Sequence, residues 1–351
     1  MSIKTSAIRL VKAIVRGTWR TPADFVRDIL QDTRCVAADV GAARGLQYHW
    51  LPLEGNATLY CFEPCVAEAA ALQAQFAGRP HSDRYRVMPF ALSNTSGTAT
   101  LHVTNTPTGS SLKYPHSTLC DGYSPADYFF PIREEQIDVR RFDEALDAVH
   151  ERDMHFIKLD TQGCEYDILS GLGDARRGKT FCVESEVNLV GAIQGGTAFG
   201  RLADLLSQAG LEFFDMRLSR SYRLFPASNV YGDVFGVTAS PKSIAARAWE
   251  ADVVWFRKPE SILSENGPDA VRILLVAYCL YNFFTEAWHL LDLADTRRPS
   301  EAAEWARLRS VIVVWHRYVG RLFPLDRPLV SGLLKRGQRW HQYTWLPYPN
   351  S

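Results

Sequence analysis

Residues 36–45 read Val36-Ala37-Ala38-Asp39-Val40-Gly41-Ala42-Ala43-Arg44-Gly45. A short β-rich run that carries a carboxylate into a glycine turn reads as the start of a strand–turn–helix unit, because glycine takes backbone angles that other residues resist. The helix that follows would offer free N–H groups to a polar ligand. Outward from this turn, further β-rich runs lie at 58–62, 84–92, 155–160, 180–187, 211–216 and 251–256, with helical segments over 66–76, 165–171 and 198–209 between them. That alternation predicts an α/β fold with a doubly wound, mainly parallel seven-stranded sheet, Rossmann-like in plan.

Two stretches depart from the rhythm. Residues 98–103 alternate like an added strand, and 105–135 reads as a long loop carrying Ser110, Ser111, Tyr114 and His116. A loop of that length inside a compact domain is read as a lid or an acceptor-binding insertion. From Pro259 helices replace strands: Leu274, Ala277, Tyr281, Phe284, Trp288 and Leu291 keep 3-4 spacing, and Trp305, Leu308, Ile312, Trp315, Val319 and Leu322 repeat it after Arg297-Arg298-Pro299, with Ser300 as the expected N-cap. The expectation is a C-terminal helical hairpin that either packs on the α/β domain or pairs with a second copy into a homodimer. Residues 1–34 read as amphipathic helix, restarting at Thr21-Pro22. The division expected is therefore an N-terminal helical segment over 1–34, a ligand-binding α/β domain over 35–258 with the insertion at 105–135, and a helical extension over 259–351.

Composition narrows the class. The 351 residues are 46% hydrophobic and carry a formal net charge of zero, so disorder is excluded and no global field draws the protein to nucleic acid. Seven cysteines without C-x-x-C spacing read as reduced, buried thiols in a cytoplasmic protein. The longest apolar run, 273–280, falls far short of the roughly 20 residues a spanning helix needs. Between Arg307 and Ser351 basic residues interleave with Trp315, Tyr318, Phe323, Trp340 and Tyr343. This mixture suits an intramolecular interface, or contact with anionic headgroups or a diphosphate-bearing sugar.

The chemistry-bearing residues gather at strand ends. The second strand closes with Phe62-Glu63-Pro64, 22 residues beyond Gly41, where an acid in a doubly wound fold accepts hydrogen bonds from ribose hydroxyls. A dinucleotide site would want G-x-G-x-x-G, but Ala43 stands at the second glycine and the third is unmatched at Gly45. A nucleoside ligand without pyrophosphate fits better: S-adenosylmethionine, with Asp39 positioned for its ammonium group. Asp160 ends the fourth strand, at the edge where open sheets bind ligands. It is the candidate base for an acceptor hydroxyl. Lys158 and Glu165 flank it; an ion pair between those two that merely holds the turn is the plainer alternative. Glu184 and Glu186 sit two apart on the fifth strand and share a face. They could bind acceptor hydroxyls or, with Asp160, supply oxygen ligands of the kind Mg2+ takes, although a metal-free site is the preferred reading. His116 and His155 are weaker candidate bases, each a lone histidine more readily read as structural.

Six stretches together resemble the FkbM-type methyltransferases: D-V-G-A-A-R-G from Asp39, F-E-P from Phe62, A-L-S-N-T-S-G-T-A-T-L from Ala91, S-S-L from Ser110, R-R-F-D-E-A-L from Arg140, and F-I-K-L-D-T-Q-G-C-E-Y-D-I-L-S-G-L from Phe156. The resemblance covers about residues 36–257. It implies the class I methyltransferase fold, S-adenosylmethionine as cofactor and O-methylation, often of sugars or polyketide-like products. The strand-end residues and the resemblance together give the expected site: cofactor binding by Asp39, Gly41, Ala42, Gly45, Glu63, Pro64, Ala91 and Ser93, catalysis by Lys158, Asp160 and Glu165 with Glu184 added from its place on the fifth strand, and acceptor contacts from Ser110 and Ser111 with Tyr114, His116 and Glu186 added from the long loop and that strand. The acceptor expected is a sugar, glycolipid or glycosylated metabolite. The alternatives are a nicotinamide-dependent oxidoreductase, or a non-catalytic scaffold that keeps the domain for docking.

Overall fold

A computed structural model describes residues 20–43, 45–115, 123, 129–221, 247–265 and 267–322. The chain divides into two compact units, one formed by residues 36–45 and 58–261, the other by 1–35, 46–57 and 262–351.

The first unit holds a seven-stranded sheet. Its strands in chain order are β1 (Val36–Val40), β2 (Thr58–Phe62), β3 (Tyr85–Met88), β7 (Phe156–Leu159), β8 (Cys182–Asn188), β9 (Leu211–Ser221) and β10 (Arg247–Arg257). The intervening numbers belong to a three-stranded sheet of β4 (Ala91–Ser93), β5 (Gly97–Thr104) and β6 (Pro131–Arg141). The large sheet runs β3-β2-β1-β7-β8-β10-β9. Every pairing from β3 to β8 is parallel, whereas β10 is antiparallel to β8 and to β9. The sheet is therefore mixed; β9 and β10 follow one another in the chain, and strands that pair antiparallel need no crossover helix.

Alternation along the strands sorts the two faces. Val36, Ala38 and Val40 of β1, Ile157 and Leu159 of β7, Val183 and Val187 of β8, and Ala251, Val253 and Trp255 of β10 join one hydrophobic core. Onto that core pack α3 (Phe142–Asp147) through Phe142 and Leu146, α4 (Glu165–Gly171) through Ile168 and Leu169, and α6 (Phe199–Gln208) through Leu202 and Leu206. Each such side chain contributes about 1.5 to 3 kcal/mol by leaving water. This unit also holds the 12-residue α2 (Val66–Ala77) and the single turn α5 (Asp174–Arg177). The residues between the core positions, Asp39, Lys158, Glu184 and Asp252 among them, stand on the opposite face.

The run at 84–92 is two strands rather than one. Pro89 has no N–H to give a ladder, and the chain leaves the large sheet there, so Ala91–Ser93 pairs instead with β6. The expected loop 105–135 is also shorter than the sequence suggested, because 131–135 continues β6 opposite Leu101–Thr104 of β5. His116 and most of the stretch between 116 and 128 lie outside the described residues.

The second unit is helical. Its first helix, α1 (Pro22–Leu30), begins as expected at Thr21, whose hydroxyl accepts from Asp24 N while the Asp24 carboxylate accepts from Thr21 N; residues 1–19 lie outside the described ones. After α7 (Pro259–Glu265) come α8 (Pro268–Leu280), α9 (Phe284–Arg297) and α10 (Ala302–Leu322). The expected first helix of a hairpin is thus two helices, since Asn282 takes a left-handed φ of 64° and stops α8. Ser300 lies within a 3-10 turn, Pro299–Glu301, instead of capping α10. Phe25 stacks on Trp315 at 5.7 Å, and Glu304 receives both Arg272 and Arg307. The described cysteines are free, and no described helix is long and apolar enough to cross a membrane.

Candidate active site

The turn after β1 is built around a close backbone approach. Gly41 has φ of 86°, and a Cβ there would stand 2.1 Å from the Asp160 carbonyl oxygen. Only glycine lets the ends of β1 and β7 meet this way. Gly41 N and Ala42 N both donate to Phe62 O, at 3.0 and 3.2 Å, which ties the turn to the end of β2; Gly45 N closes it onto Ala42 O at 2.8 Å. Glu63 is buried beside Pro64. Its Oε1 accepts Cys65 N at 2.8 Å. Burial pushes its carboxyl up to about 7, against backbone donors at Cys65 and Ala43 that favour the ionised form.

Across the polar face, strand register sets Asp39, Lys158 and Glu184 side by side on β1, β7 and β8. Lys158 is 5% exposed, and its ammonium lies 3.5 Å from Asp39 Oδ1 and 3.4 Å from Asp160 Oδ2. Burial alone would favour a neutral amine, but Asp39, Asp160, Glu184 and Asp252 hold Lys158 protonated, above the usual lysine range. Burial likewise raises the Asp39 carboxyl, with Lys158 opposing the shift, and Asp39 Oδ1 makes no hydrogen bond of its own.

One step towards the carboxyl ends of the parallel strands stand Asp160, Glu186 and Asp252, the last two directly paired between β8 and β10. Burial, with Asp160 and the acids of β10 adding repulsion, pushes Glu186 well above the carboxylate range. Burial, with Glu184 and Asp160 adding repulsion, pushes Asp252 up to about 8, and burial with Asp160 pushes Glu250 to about 7. The face thus concentrates acids around one buried lysine in a chain of zero net charge. Glu250 and Asp252 were missed in the sequence, although their spacing repeats that of Glu184 and Glu186. So was Gln162, whose Nε2 lies 3.3 Å from Asp160 Oδ1 and 2.6 Å from Glu186 Oε1.

The remaining expected residues fall as follows. Glu165, at the head of α4, folds back onto the preceding loop: its Oε1 accepts from Thr161 N, Thr161 Oγ1 and Gly163 N. The Lys158–Glu165 ion pair is therefore not formed; Lys158 turns to Asp39 and Asp160 instead. Ser111 Oγ donates to Gln162 O at 2.7 Å, and Ser110 Oγ accepts Thr104 N at 3.2 Å, so both hydroxyls are engaged by the protein. Tyr114 is half-exposed and meets His102 edge-on. Ala91 and Ser93 lie on β4 of the small sheet, Ser93 with its carbonyl packed against Gly171 of α4. His155 sits at the opposite end of β7 from the acids, where its Nδ1 accepts Val36 N at 3.0 Å, and so does not face the cleft. Among the described residues no three His, Cys, Asp or Glu side chains converge as a metal-holding group.

Residues 39–213 match the family model described as the methyltransferase FkbM domain. No curated protein matches the chain. Among solved structures, methyltransferase FkbM from Methylobacillus flagellatus KT is 14% identical with a TM-score of 0.35, over 64% of this chain and 44% of that one. The glycopeptide N-methyltransferase MtfA, solved with sinefungin, is 9% identical with a TM-score of 0.25, over 68% of this chain and 88% of that one. This chain accordingly spans less than half the length of the first of these structures.

Proposed function

We propose, from the premise that residues 39–213 form a methyltransferase FkbM domain, that the protein transfers the methyl group of S-adenosylmethionine to a hydroxyl of a sugar or glycosylated metabolite. The residues at the β1 and β2 ends fit the cofactor. Gly41 leaves no side chain in the turn, Glu63 offers carboxylate oxygens for ribose hydroxyls, and Asp39 Oδ1, whose one cation at 3.5 Å is Lys158 and which makes no hydrogen bond, is an acceptor suited to an ammonium group, directly or through water. When bound, the cofactor supplies a methyl group on a positively charged sulfur, an electrophile that needs no metal activation.

The observation that carries the reading is the setting of Asp160. Its side chain is one-third exposed, whereas Lys158 and Asp39 beneath it are almost fully buried. It is thus the group of the row that an acceptor can reach, with one oxygen on Lys158 and the other on Gln162. A carboxylate fixed at both oxygens keeps its lone pairs aimed. Asp160 takes the proton of the acceptor hydroxyl as the new O–CH3 bond forms and the S–CH3 bond breaks. Glu186 continues the polar wall for neighbouring hydroxyls, while Glu184, buried beside Lys158, backs that wall from beneath. Beyond the end of β8, a cavity of about 230 Å³ lined by Leu189, Ile193, Thr197 and Phe199 suits a less polar part of the acceptor.

The test is methyl-labelled S-adenosylmethionine incubated with the protein and an extract of host sugars and glycolipids, with the label located by mass spectrometry. Asp160→Asn should lower transfer by about 100-fold or more while S-adenosylhomocysteine still binds in a calorimeter. Transfer at near-normal rate would remove Asp160 as the base, and absence of binding by the wild type would remove the cofactor and leave the scaffold reading.

A further inference from the structure

We infer that Gln162, held by Ser111, positions the reacting carboxylate by joining Asp160 to Glu186 through a single amide; the role in turnover rests on the methyl-transfer reading above. Gln162 is buried and holds φ of 53°, a left-handed conformation that residues with a Cβ resist. Something must hold it there. The Ser111 hydroxyl donates to the Gln162 carbonyl at 2.7 Å while accepting Lys113 N at 2.9 Å. Ser111 is itself tied to β5 by two backbone bonds with His102, at 2.9 and 3.3 Å. A segment beside the small sheet thus fixes the turn after β7, which explains a serine whose hydroxyl does not face an acceptor.

The consequence lies in the side chain. A primary amide nitrogen carries two N–H donors, and those of Gln162 reach Asp160 Oδ1 and Glu186 Oε1 at 3.3 and 2.6 Å. With Lys158 on Oδ2, Asp160 is gripped from both sides. Take the amide away and Asp160 faces Glu186 with no donor between them, so Glu186, already raised by burial and by Asp160, holds its proton to still higher pH. The surroundings push the same way: Asp39 on β1, Glu184 on β8 and Glu165 on α4 are acids, as are Glu250 and Asp252 on β10. The cations facing the cluster among the described residues are Lys158 and, opposite Asp252, Arg217 of β9. Gln162 supplies hydrogen-bond donors to the pair where charge cannot.

Gln162→Met keeps the length of the side chain and removes both donors. In full-length protein labelled with carboxyl-13C Asp and Glu, with signals assigned by Asp160→Asn and Glu186→Gln, Glu186 should titrate about one pH unit higher in Gln162→Met than in wild type. The acidic limb of methyl transfer to the labelled acceptor fraction should move up with it, transfer should recover at higher pH, and S-adenosylhomocysteine affinity should stay within about twofold. Ser111→Ala should move the titration in the same direction by less, and it carries the comparison where Gln162→Met does not fold. Superimposable titrations and pH profiles, or a loss of transfer equal at every pH, would overturn the inference. A wild type that transfers no methyl refutes the catalytic reading alone, because the carboxyl titration still decides whether Gln162 governs the pair.

Discussion

Replacing Lys158 by Met tests whether the buried row is held by charge. Lys158 lies 3.5 Å from Asp39 and 3.4 Å from Asp160. At an effective dielectric constant near 20, each contact is worth about 5 kcal/mol. Much of that only offsets the cost of burying the ions, and removing one partner of a buried pair typically costs about 3 to 5 kcal/mol. The pH dependence is the sharper signature. The protonated state of Lys158 is favoured by folding, so its stabilisation is complete below the ordinary lysine range and is lost only as pH rises beyond it. In Lys158→Met, Asp39 and Asp252 lose the cation that opposes their upward shifts and climb further, so the variant loses stability as pH rises through the neutral range. Denaturant melts at pH 5, 6.5 and 8 should show a deficit of roughly 1 kcal/mol at the lowest pH growing to about 3 to 5 kcal/mol at the highest, the latter equivalent to roughly 10 °C in Tm. The double variant with Asp39→Asn should recover part of the loss. A deficit below about 1 kcal/mol and flat with pH would show that the row is screened by water, and the electrostatic account of the site would fall with it.

Two further outcomes follow from the cofactor turn. Gly41→Ala places a Cβ against the Asp160 carbonyl at a positive φ, whereas a Cβ at Gly45 meets nothing closer than 3.5 Å. Thermal melts should therefore show a loss of at least about 2 kcal/mol for Gly41→Ala and about 1 kcal/mol for Gly45→Ala, and equal losses would contradict the close approach. Glu63, raised to about 7 by burial, lowers stability increasingly as pH climbs from the ordinary Glu range through neutrality. Glu63→Gln should be more stable than wild type by up to roughly 3 kcal/mol at pH 8, converge with it near pH 4.5, and bind S-adenosylhomocysteine more weakly. A stability difference that does not change with pH would show Glu63 to be solvated.

What the sequence discloses and what it hides follow from the range of the interactions involved. The seven strands were legible because each is a local β-rich run, and the turn at Gly41 because it needs glycine whatever surrounds it. The break at Pro89 was legible in principle and overlooked. The helical unit was not legible as a unit, since residues 262–322 meet 20–35 and 46–57 through contacts between residues far apart in sequence, such as Thr33 Oγ1 to Asp269 Oδ1 at 2.6 Å and Trp50 Nε1 to Tyr281 OH at 2.9 Å. The acids of β10 were hidden for a related reason. Glu250 and Asp252 show strand alternation as plainly as Glu184 and Glu186, but their relevance depends on β10 lying antiparallel beside β8 in a register that pairs Asp252 with Glu186. Pairing register is a tertiary property.

Gln162 was hidden in a different way. A neutral amide between Asp160 and Gly163 carries no charge signal, and only the two carboxylate oxygens on either side of its nitrogen give it a role. The same alternation that builds the sheet divides the labour of β7. Ile157 and Leu159 belong to the core, while Phe156 and Lys158 look to the other face. Changes at the first pair act through packing and should be indifferent to pH, whereas a change at Lys158 acts through the charge of four neighbouring acids, Asp39, Asp160, Glu184 and Asp252. Strand β7 thus carries structure on one side and proton chemistry on the other, and its Asp160 stands where the strand ends, the backbone of Gly41 is in reach and water first gains access.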